Sequence, residues 1–377
     1  MKEQAENPSY QSSSKLEICL ANVAHNFNFF KRLVPQETQV MAMIKASAYG
    51  NGAIGLAKFI EEKKFASYLG VAYVEEGIEL RRAGIRLPIM ILNPNKENFH
   101  LMIKYCLEPE MHHLEHLNSF EKVLKTEGLE SGSYPVHLKV NTGMNRLGFD
   151  IVDLPGLIYL LKEKKGWSVR SIMTHLSASS SIADEAYTLR QFQQFNQIWE
   201  ELRAYLPADC WRHALNSNGI FRFPKFHYQM VRLGIGMYGD AAVPELRQKL
   251  KDIAVFKTQI TQSRKVLSSE TIGYSRAGRI EQDANIATIA VGYADGFSRS
   301  LGNGHWHVEI NDKLYPTIGN VCMDMCMINL GNDEYKDGQE VILFGGKRSI
   351  HQYAEAMGTI TYEAMCRVGT RVERVLV

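Results

Sequence analysis

A single lysine, Lys45, ends an apolar run and stands directly before a turn of small residues. The surrounding sequence, VMAMIKASAYGNG, covers residues 40–52. A lone lysine after a strand is most often a solvated surface residue. It becomes a candidate for chemistry if the strand delivers its amine into a site, because an amine can hold a carbonyl compound covalently.

Other polar residues follow later apolar runs in the same way. Small residues in NSNG (216–219) and LGIG (233–236) let backbone N–H groups approach a phosphate, although the glycines of LGIG would also suit an ordinary turn. A phosphate site and an amine at one edge of a sheet indicate pyridoxal 5′-phosphate held covalently by Lys45. The residues after these runs are Asn141, Arg146, His175, Asn216, Ser217 and Arg232.

These residues require a scaffold that brings several strand ends together. From about residue 40 to 238, short apolar runs alternate with amphipathic stretches predicted to be helices, the pattern of βα units around a parallel sheet. Eight runs would close a (β/α)8 barrel, whose active sites lie at the carboxyl ends of the strands. The predicted strands are 40–44, 68–72, 89–92, 107–111, 136–140, 170–174, 212–216 and 230–235. The predicted helices are 53–64, 74–84, 154–165 and 184–206, with one more, 22–34, before the first strand.

The sequence changes character within residues 243–252. Beyond them, alternating strands with turn residues predict a separate, mostly β domain. The expected fold is therefore α/β plus β, with a cofactor-binding barrel at 1–247 and a β domain at 248–377. An extra strand near 15–21 could pack with the β domain.

Charge and hydropathy exclude several classes of partner. With 43 basic and 41 acidic residues the formal net charge is +2, and no basic run with interleaved aromatics predicts nucleic-acid binding. No stretch approaches the ~18 apolar residues of a membrane span, and the polar N-terminus has no apolar core typical of a secretory signal. We therefore expect a cytoplasmic protein.

The cysteines predict neither disulfides nor a metal centre. Six are scattered along the chain, and only Cys322 and Cys326 lie close together. Their CMDMC spacing lacks a second Cys or His pair to complete a tetrahedral zinc site. We expect free thiols and no metal.

Nine ordered segments resemble those of the pyridoxal-phosphate-dependent alanine racemases. The resemblance runs from LEICLANVAHN (16–26) to RVERV (371–375), essentially the whole chain, and its most specific part is KASAYGNG around Lys45. The matching segments are KASAYGNG, HLKVNTGMNRLGF, THLSAS, NSNG, VRLGIGMYG, GYSR, GYADGF, NVCMDM and TITYE.

The resemblance implies a homodimeric isomerase that interconverts L- and D-alanine with two bases. Lys45 would carry the cofactor and serve the D face of Cα, and Tyr274 of the second subunit would serve the L face. Two bases are needed, because one base would return the proton to the face that it left. A phenol with an ordinary pKa near ~10 is a weak base at neutral pH. His175 is therefore expected to link Tyr274 to Arg232 by hydrogen bonds.

The resemblance also implies roles for the cations and for the remaining site residues. Arg232 would donate to the pyridine nitrogen without protonating it, which weakens the ring as an electron sink and suppresses transamination. Arg146 would bind the substrate carboxylate. Lys139 matches a position often carbamylated in the family, and that anion would brace Arg146; without it, a salt bridge to some other anion, or a chloride, would be needed. Phosphate would be held by Tyr49, Asn216, Ser217, Gly234, Ile235 and Tyr362, the substrate by Arg146, Met323 and Asp324, and the entrance would be lined by Tyr293 and Arg299.

Four residues depart from the family pattern. Ser47 and Asn51 lie in the turn after the lysine, Ser275 follows Tyr274, and Asn320 lies near the expected entrance. None removes a group that the proton transfer needs. Substrate size preference, rate and gating therefore stay open.

Three alternatives remain beside the alanine racemase interpretation. The nearest is a racemase of the same fold with a broader or different substrate range, such as serine, lysine or arginine. A related barrel decarboxylase of basic amino acids usually pairs an acidic group with the pyridine nitrogen, so Arg232 counts against it. A non-catalytic pyridoxal-phosphate-binding barrel would have no use for the β domain. An alanine racemase would supply D-alanine for peptidoglycan.

Overall fold

Two units divide the chain: a barrel unit of residues 21–251, and a β unit of residues 12–20 and 252–377. The segment 1–11, and Lys164 of the helix predicted over 154–165, lie outside the described residues. Among the helices that are described, none combines the length and apolar character needed to cross a membrane. The computed structural model of the protein describes residues 12–129, 132–163 and 165–377.

The barrel unit is built on eight strands, each mostly buried. The first strand of the chain, β1 (Lys15–Ile18), belongs to the β unit, and helix α1 (Leu20–Leu33) comes next in the sequence. The barrel strands are β2 (Gln39–Met43), β3 (Tyr68–Val71), β4 (Ile89–Ile91), β5 (Glu108–Met111), β6 (Tyr134–Lys139), β7 (Trp167–Met173), β8 (Trp211–His213) and β9 (Met230–Leu233).

The eight strands form a parallel ring. Each strand from β2 to β7 pairs with the next in sequence, and β9 pairs with β2. Arg232 N donates to Leu215 O at 3.0 Å, which joins β9 to the segment after β8. This closure places all eight carboxyl ends at one mouth, as the predicted barrel requires.

Helices separate the strands, and their ends carry suitable charges. In the helix over Val74–Arg82, acids occupy the first turn and arginines the last, which complements the helix dipole. Its buried residues Val74, Gly77 and Leu80 share one face. The barrel-unit helices after α1 are α2 (Lys45–Tyr49), α3 (Ala53–Glu62), α4 (Val74–Arg82), α5 (Phe99–Lys104), α6 (Leu114–Thr126), α7 (Leu154–Lys162), α8 (Glu185–Leu202), α9 (Ser217–Arg222) and α10 (Pro244–Arg247).

Polar and charged side chains occupy alternate positions on the middle strands of the barrel. In β5 these are Glu108 and Glu110, and in β6 they are His137 and Lys139. Because side chains alternate between the two faces of a strand, each pair lies on one face. Glu110 and His137 are fully buried, so this face is a polar interior that must satisfy itself by hydrogen bonds.

The β unit is a sheet built around one long strand. The strand over Ala254–Val266 pairs with three others and carries irregular register near Ile260 and Phe256. Its elements besides β1 are β10 (Ala254–Val266), β11 (Ala284–Ile289), β12 (His307–Ile310), β13 (Lys313–Ile318), β14 (Cys326–Gly331), β15 (Glu340–Phe344), α11 (Ile350–Ala356), α12 (Thr361–Cys366) and β16 (Glu373–Leu376). The sheet order is β11-β14-β13-β12-β15-β10-β1-β16, with a further pairing of β11 with β10.

Local sequence explains how this sheet turns and packs. Asn311 and Asp312 have φ of 45° and 62° and form the two-residue loop between β12 and β13, where a hairpin requires positive φ. β1 lies between β10 and β16. One apolar core cluster consists of Val266, Ile272, Ile280, Ala284, Ile286, Ile318 and Met327.

The predicted fold class is confirmed. All eight predicted barrel strands overlap observed ones, and the five predicted helices correspond to α1, α3, α4, α7 and α8. Helices α2, α5, α6, α9, α10, α11 and α12 and strand β16 were not predicted. All of these helices except α6 have seven residues or fewer, too few to give a clear hydrophobic periodicity. Helix α6 was missed although its buried residues Leu117, Phe120 and Leu124 recur at helical spacing.

Candidate active site

Lys45 begins a left-handed turn directly after β2 and Ile44. The next four residues, 46–49, all have φ between 51° and 55°, although non-glycine residues lose about 1–2 kcal/mol each in this region. Side chains support the turn: Asn51 Nδ2 donates to Ala48 O at 2.9 Å, and Glu76 Oε1 accepts from Ala46 N at 2.5 Å. The unusual residue Asn51 therefore serves to brace the turn that follows Lys45.

A small cradle of donors lies beyond β9. The Ser217 hydroxyl oxygen accepts from Gly234 N at 3.1 Å and from Gly236 N at 3.0 Å. A Cβ added at Gly234 would lie 2.8 Å from the Tyr49 hydroxyl oxygen, so only glycine fits there. The hydroxyls and backbone N–H groups gathered here are ligands that a phosphate accepts.

The other predicted phosphate residues of the barrel lie around this cradle. Ile235 is buried between the two glycines. Asn216 caps α9 by accepting from Gly219 N at 3.0 Å. The buried Tyr49 ring lies 4.7 Å, between centroids, from that of Tyr238.

Arg232, on β9, is held rigidly inside the barrel. Its guanidinium donates to His213 Nδ1 at 2.7 Å and to His175 Nδ1 at 3.2 Å, and also to the carbonyls of Thr174 and Ala214. The side chain is buried, which lowers the pKa of Arg232 to about 10. It therefore remains a cation, and a donor only, at neutral pH.

A hydrogen-bond chain extends from Arg232 across the barrel interior. His213 Nε2 lies 2.8 Å from Ser171 Oγ, which lies 2.7 Å from His137 Nδ1, and His137 Nε2 lies 2.9 Å from Glu108 Oε2. Because arginine can only donate, His213 must accept at Nδ1 and donate at Nε2. The Ser171 hydroxyl then donates to His137 Nδ1, and His137 Nε2–H donates to the Glu108 carboxylate.

Positive charges act on His175 at the barrel mouth. Burial and the charges of Arg232, Lys139, Arg146 and Lys45 lower the pKa of His175 well below its ordinary value. The imidazole is consequently neutral at pH 7. Its Nδ1 accepts from Arg232, so its proton lies on Nε2.

Lys139 forms a buried ion pair that sequence reasoning missed. Its Nζ lies 3.0 Å from Glu110 Oε1, with side chains 7% and 0% exposed. Burial raises the pKa of Glu110 and Lys139 opposes that rise. The expected contact with Arg146 is not present among the described residues: Arg146 is exposed in the loop after β6 and has no ion pair or hydrogen bond there.

Of the site residues predicted in the β unit, Tyr274 is the proposed second base. Tyr274 follows Gly273 and is 69% exposed, and its carbonyl accepts from Asn320 Nδ2 at 3.1 Å. Ser275, where the family commonly has glycine, has φ of 59°. Asn320, another unusual residue, therefore holds the backbone of the tyrosine.

The loop between β13 and β14 carries Met323 and Asp324. Tyr293 N donates to Cys322 O at 3.0 Å, and a Cβ at Gly292 would collide with the carbonyls of Cys322 and Met323. Arg371 Nη2 lies 2.8 Å from Asp324 Oδ1 and also binds Asp295. This clamp was not predicted, because its residues are far apart in sequence.

Several of these β-unit side chains are apolar and exposed. Met323 is 53%, Tyr293 is 44% and Tyr362, on α12, is 39% exposed. Arg299 is exposed in a short 3-10 segment, Arg299–Leu301. Large apolar groups that share an exposed surface commonly mark an interface.

Comparisons with known proteins agree with this architecture. Models of the alanine racemase N-terminal and C-terminal domains match residues 18–242 and 253–376. The chain belongs to the alanine racemase family. An alanine racemase of Helicobacter pylori (strain P12) is 36% identical and one of Clostridium novyi (strain NT) is 33% identical, covering 97% and 96% of this chain and 99% and 94% of theirs.

A solved structure supports the same assignment. The alanine racemase of Clostridium difficile 630 superimposes with a TM-score of 0.91 at 32% identity, covering 98% of this chain and 97% of that chain. The predicted alanine racemase family and the enzyme class, isomerase, are confirmed. The roles of individual residues rest on the geometry and are proposals.

Proposed function

We propose that this alanine racemase family member interconverts L- and D-alanine with pyridoxal 5′-phosphate and two bases, Lys45 and the Tyr274 of a second subunit. The observation that carries the proposal is the contact of the buried Arg232 with His175 Nδ1 at 3.2 Å, in a barrel mouth where the charges of Lys45, Lys139 and Arg146 also act on His175. Such a cationic mouth suits a ligand pair with two anions, a phosphate and an α-carboxylate.

The barrel residues fit this cofactor. Lys45 would anchor it covalently, and the Ser217, Gly234 and Gly236 cradle would receive its phosphate in the space that a Cβ at Gly234 would fill. Nε–H of Arg232 has no partner among the described contacts and would donate to the pyridine nitrogen. When bound, the cofactor withdraws electron density from the substrate Cα and so acidifies its C–H bond.

His175 would prepare Tyr274 to act as a base. Because His175 Nδ1 accepts from Arg232, Nε2–H can donate to a phenolate oxygen and stabilise it. For L-alanine, Tyr274 would take the Cα proton and Lys45 would deliver one to the opposite face. D-alanine would react in the reverse sense.

Exposure in the β unit supports a homodimer. Tyr274 and Met323 are 69% and 53% exposed, which is unusual for side chains assigned to a reacting site. A second copy of the chain would cover them and receive the Met323 backbone N–H and Asp324 beside its substrate. Sedimentation that reveals a fully active monomer would contradict this arrangement.

We also propose that Lys139 remains an unmodified ammonium. Glu110 already supplies the buried carboxylate that a carbamate would otherwise provide, and a second anion beside it would be repelled. Enzyme equilibrated with ¹³C-bicarbonate should show no carbamate carbon resonance, whereas Glu110→Thr should gain one. A carbamate in the wild-type enzyme would contradict the proposal.

The substrate class is tested by comparing amino acids. We expect alanine to be the best substrate, because Tyr274 and Tyr362 would leave room for little more than a methyl group. Racemisation of L-alanine, L-serine, L-lysine and L-arginine, followed by polarimetry or chiral chromatography, separates alanine from a broader substrate range. A non-catalytic protein would incorporate no deuterium at Cα.

The central experiment replaces Lys45. Lys45→Ala should lose both the absorption of the covalently bound cofactor and all conversion of L- to D-alanine. Lys58→Ala, an exposed lysine on α3, is the matched control and should retain both. Retained absorption or racemisation in Lys45→Ala would contradict the assignment. The product, formed in the cytoplasm, would supply D-alanine for peptidoglycan.

A further inference from the structure

Three histidines meet where β5 ends and α6 begins. His112 follows β5, His113 caps α6, and His116 lies in its first turn. One ring nitrogen from each lies within 4.8 Å of those of the other two. None of the three has a part in the proposed racemisation.

The ring nitrogens are arranged as ligands rather than as a satisfied hydrogen-bond cluster. Among the described residues, Nδ1 of His112 and Nδ1 of His116 are buried without a hydrogen-bond partner. His113 Nδ1 accepts weakly from His116 N at 3.3 Å, which leaves its Nε2 available. Buried polar atoms without a partner are rare and call for an explanation such as an ion.

The three rings lie close together. The centroids of His113 and His116 lie 3.8 Å apart, and those of His112 and His116 lie 4.7 Å apart. Apolar packing also contributes, because Phe99 contacts His116 edge-on at 5.7 Å. A phenylalanine or leucine would pack equally well there without placing three basic nitrogens together.

Electrostatics keep these rings in the form that binds a metal. Burial and the neighbouring imidazoles lower the pKa of both His112 and His116 to about 4. At neutral pH the nitrogens therefore carry lone pairs, and metal binding need not displace protons.

We propose that His112, His113 and His116 form a binding site for one divalent transition-metal ion of the Zn²⁺, Co²⁺ or Ni²⁺ class. Imidazole nitrogen is the ligand these ions share. A tetrahedral site with ~2.1 Å bonds places its nitrogens about 3.4 Å apart, so the rings must approach by roughly 1 Å. Water fills the remaining positions.

Neighbouring charges partly offset the cost of a dication at a helix start. The positive end of the α6 dipole opposes the ion. Glu115 lies beside the histidines in the first turn, although Lys96 pairs with it at 3.0 Å. Coordination by three nitrogens outweighs these terms, and the ion fastens the end of β5 to α6.

The test uses untagged, cofactor-loaded enzyme that has been treated with a chelator and dialysed. Titration with Zn²⁺ should show one ion per chain with micromolar or tighter affinity, and Co²⁺ should give visible ligand-field bands. Mg²⁺, which prefers oxygen ligands, should not bind. The metal should also raise the melting temperature, because it binds only the folded chain.

The decisive variant is His113→Asn. Asparagine is a good N-cap, so α6 keeps its cap while the site loses an imidazole. Zn²⁺ affinity should fall at least ten-fold. His100→Asn, which removes an exposed histidine of α5, should bind as the wild type does.

Two results would overturn the proposal. One is the absence of stoichiometric Zn²⁺ or Co²⁺ binding to the wild-type enzyme. The other is binding that His113→Asn leaves unchanged. Neither result depends on racemisation, so the proposed activity stands or falls separately.

Discussion

The barrel unit and the β unit hold their functional side chains in opposite ways. In the barrel unit, Arg232 is 3% and Lys139 6% exposed, each with defined partners. In the β unit, Tyr274 and Met323 are 69% and 53% exposed. Both groups belong to segments that resemble the same family, so the difference reflects where each is used.

The contrast is between a side chain that the barrel holds in place before any ligand binds and one that is left exposed. A buried guanidinium with four acceptors keeps its orientation before any ligand arrives, which is what stabilisation of charge requires. An exposed tyrosine has no such constraint and acquires its environment only when another surface covers it. The barrel should therefore dominate stability, and the β-unit tyrosine should affect activity alone.

Tyr274→Phe tests this most directly. Racemisation should fall by about 10²–10⁴-fold, the usual contribution of a general base. The free energy of unfolding, measured in urea, should change by less than about 0.5 kcal/mol, because the hydroxyl is exposed. A substantial loss of stability, or full activity, would remove the distinction between the units.

Breaking the Lys139–Glu110 pair should produce the largest loss of stability. Lys139→Met leaves a buried carboxylate without a counter-ion, which costs about 3–5 kcal/mol. The matched β-unit substitution, Lys313→Met, breaks an exposed pair with Asp333 and should cost far less, because solvent screens an exposed ion pair. Equal losses in urea denaturation would show that burial does not distinguish the two pairs.

Acid should destabilise the barrel through His213. Burial and Arg232 lower its pKa well below 6.5 in the folded state. Below pH 6.5 the unfolded chain therefore binds the proton and the folded chain does not. The free energy of unfolding consequently decreases as the pH is lowered. Between pH 7 and 5 the protein should therefore lose stability.

His213→Asn should reduce that pH dependence. Urea denaturation of both proteins at pH 7 and pH 5 provides the measurement. His100→Asn replaces an exposed histidine and is the control: its free energy of unfolding should differ between pH 7 and pH 5 as much as that of the wild type. An unchanged difference in His213→Asn would mean that the buried imidazole is not held neutral.

The smallest expected loss of stability comes from removing one helix N-cap in each unit. Asn216→Ala and Ser349→Ala each remove a side chain that accepts a backbone N–H, at 3.0 and 3.3 Å respectively, and each should cost about 1 kcal/mol. Only Asn216→Ala should also weaken pyridoxal-phosphate binding. Titration of both apoenzymes with the cofactor would show whether the caps differ in function.

Sequence reasoning succeeded where chemistry is local. Lys45 was identified from its own strand and turn, and the strand containing Arg232 from its apolar run. It missed Glu110, although LEPEM was correctly predicted as a strand. An isolated glutamate has no distinctive neighbours in sequence, and its partner Lys139 lies on the adjacent strand.

The histidines show the same limit in a different form. His112, His113 and His116 are close in sequence, but only the cysteines were considered as metal ligands, so no role was predicted for these histidines. Their convergence depends on a strand that ends directly before a helix begins, a boundary that periodicity locates only within a few residues.

The sequence by itself determined the order of the eight barrel strands, the family, and the lysine that follows the first barrel strand. These follow from periodicity and from motifs only a few residues long. Tertiary structure alone decided that Arg232, His213, Ser171, His137 and Glu108 form one chain of hydrogen bonds. It also decided which charges are buried, because strand pairing and closure of the ring bring together residues that are distant in sequence.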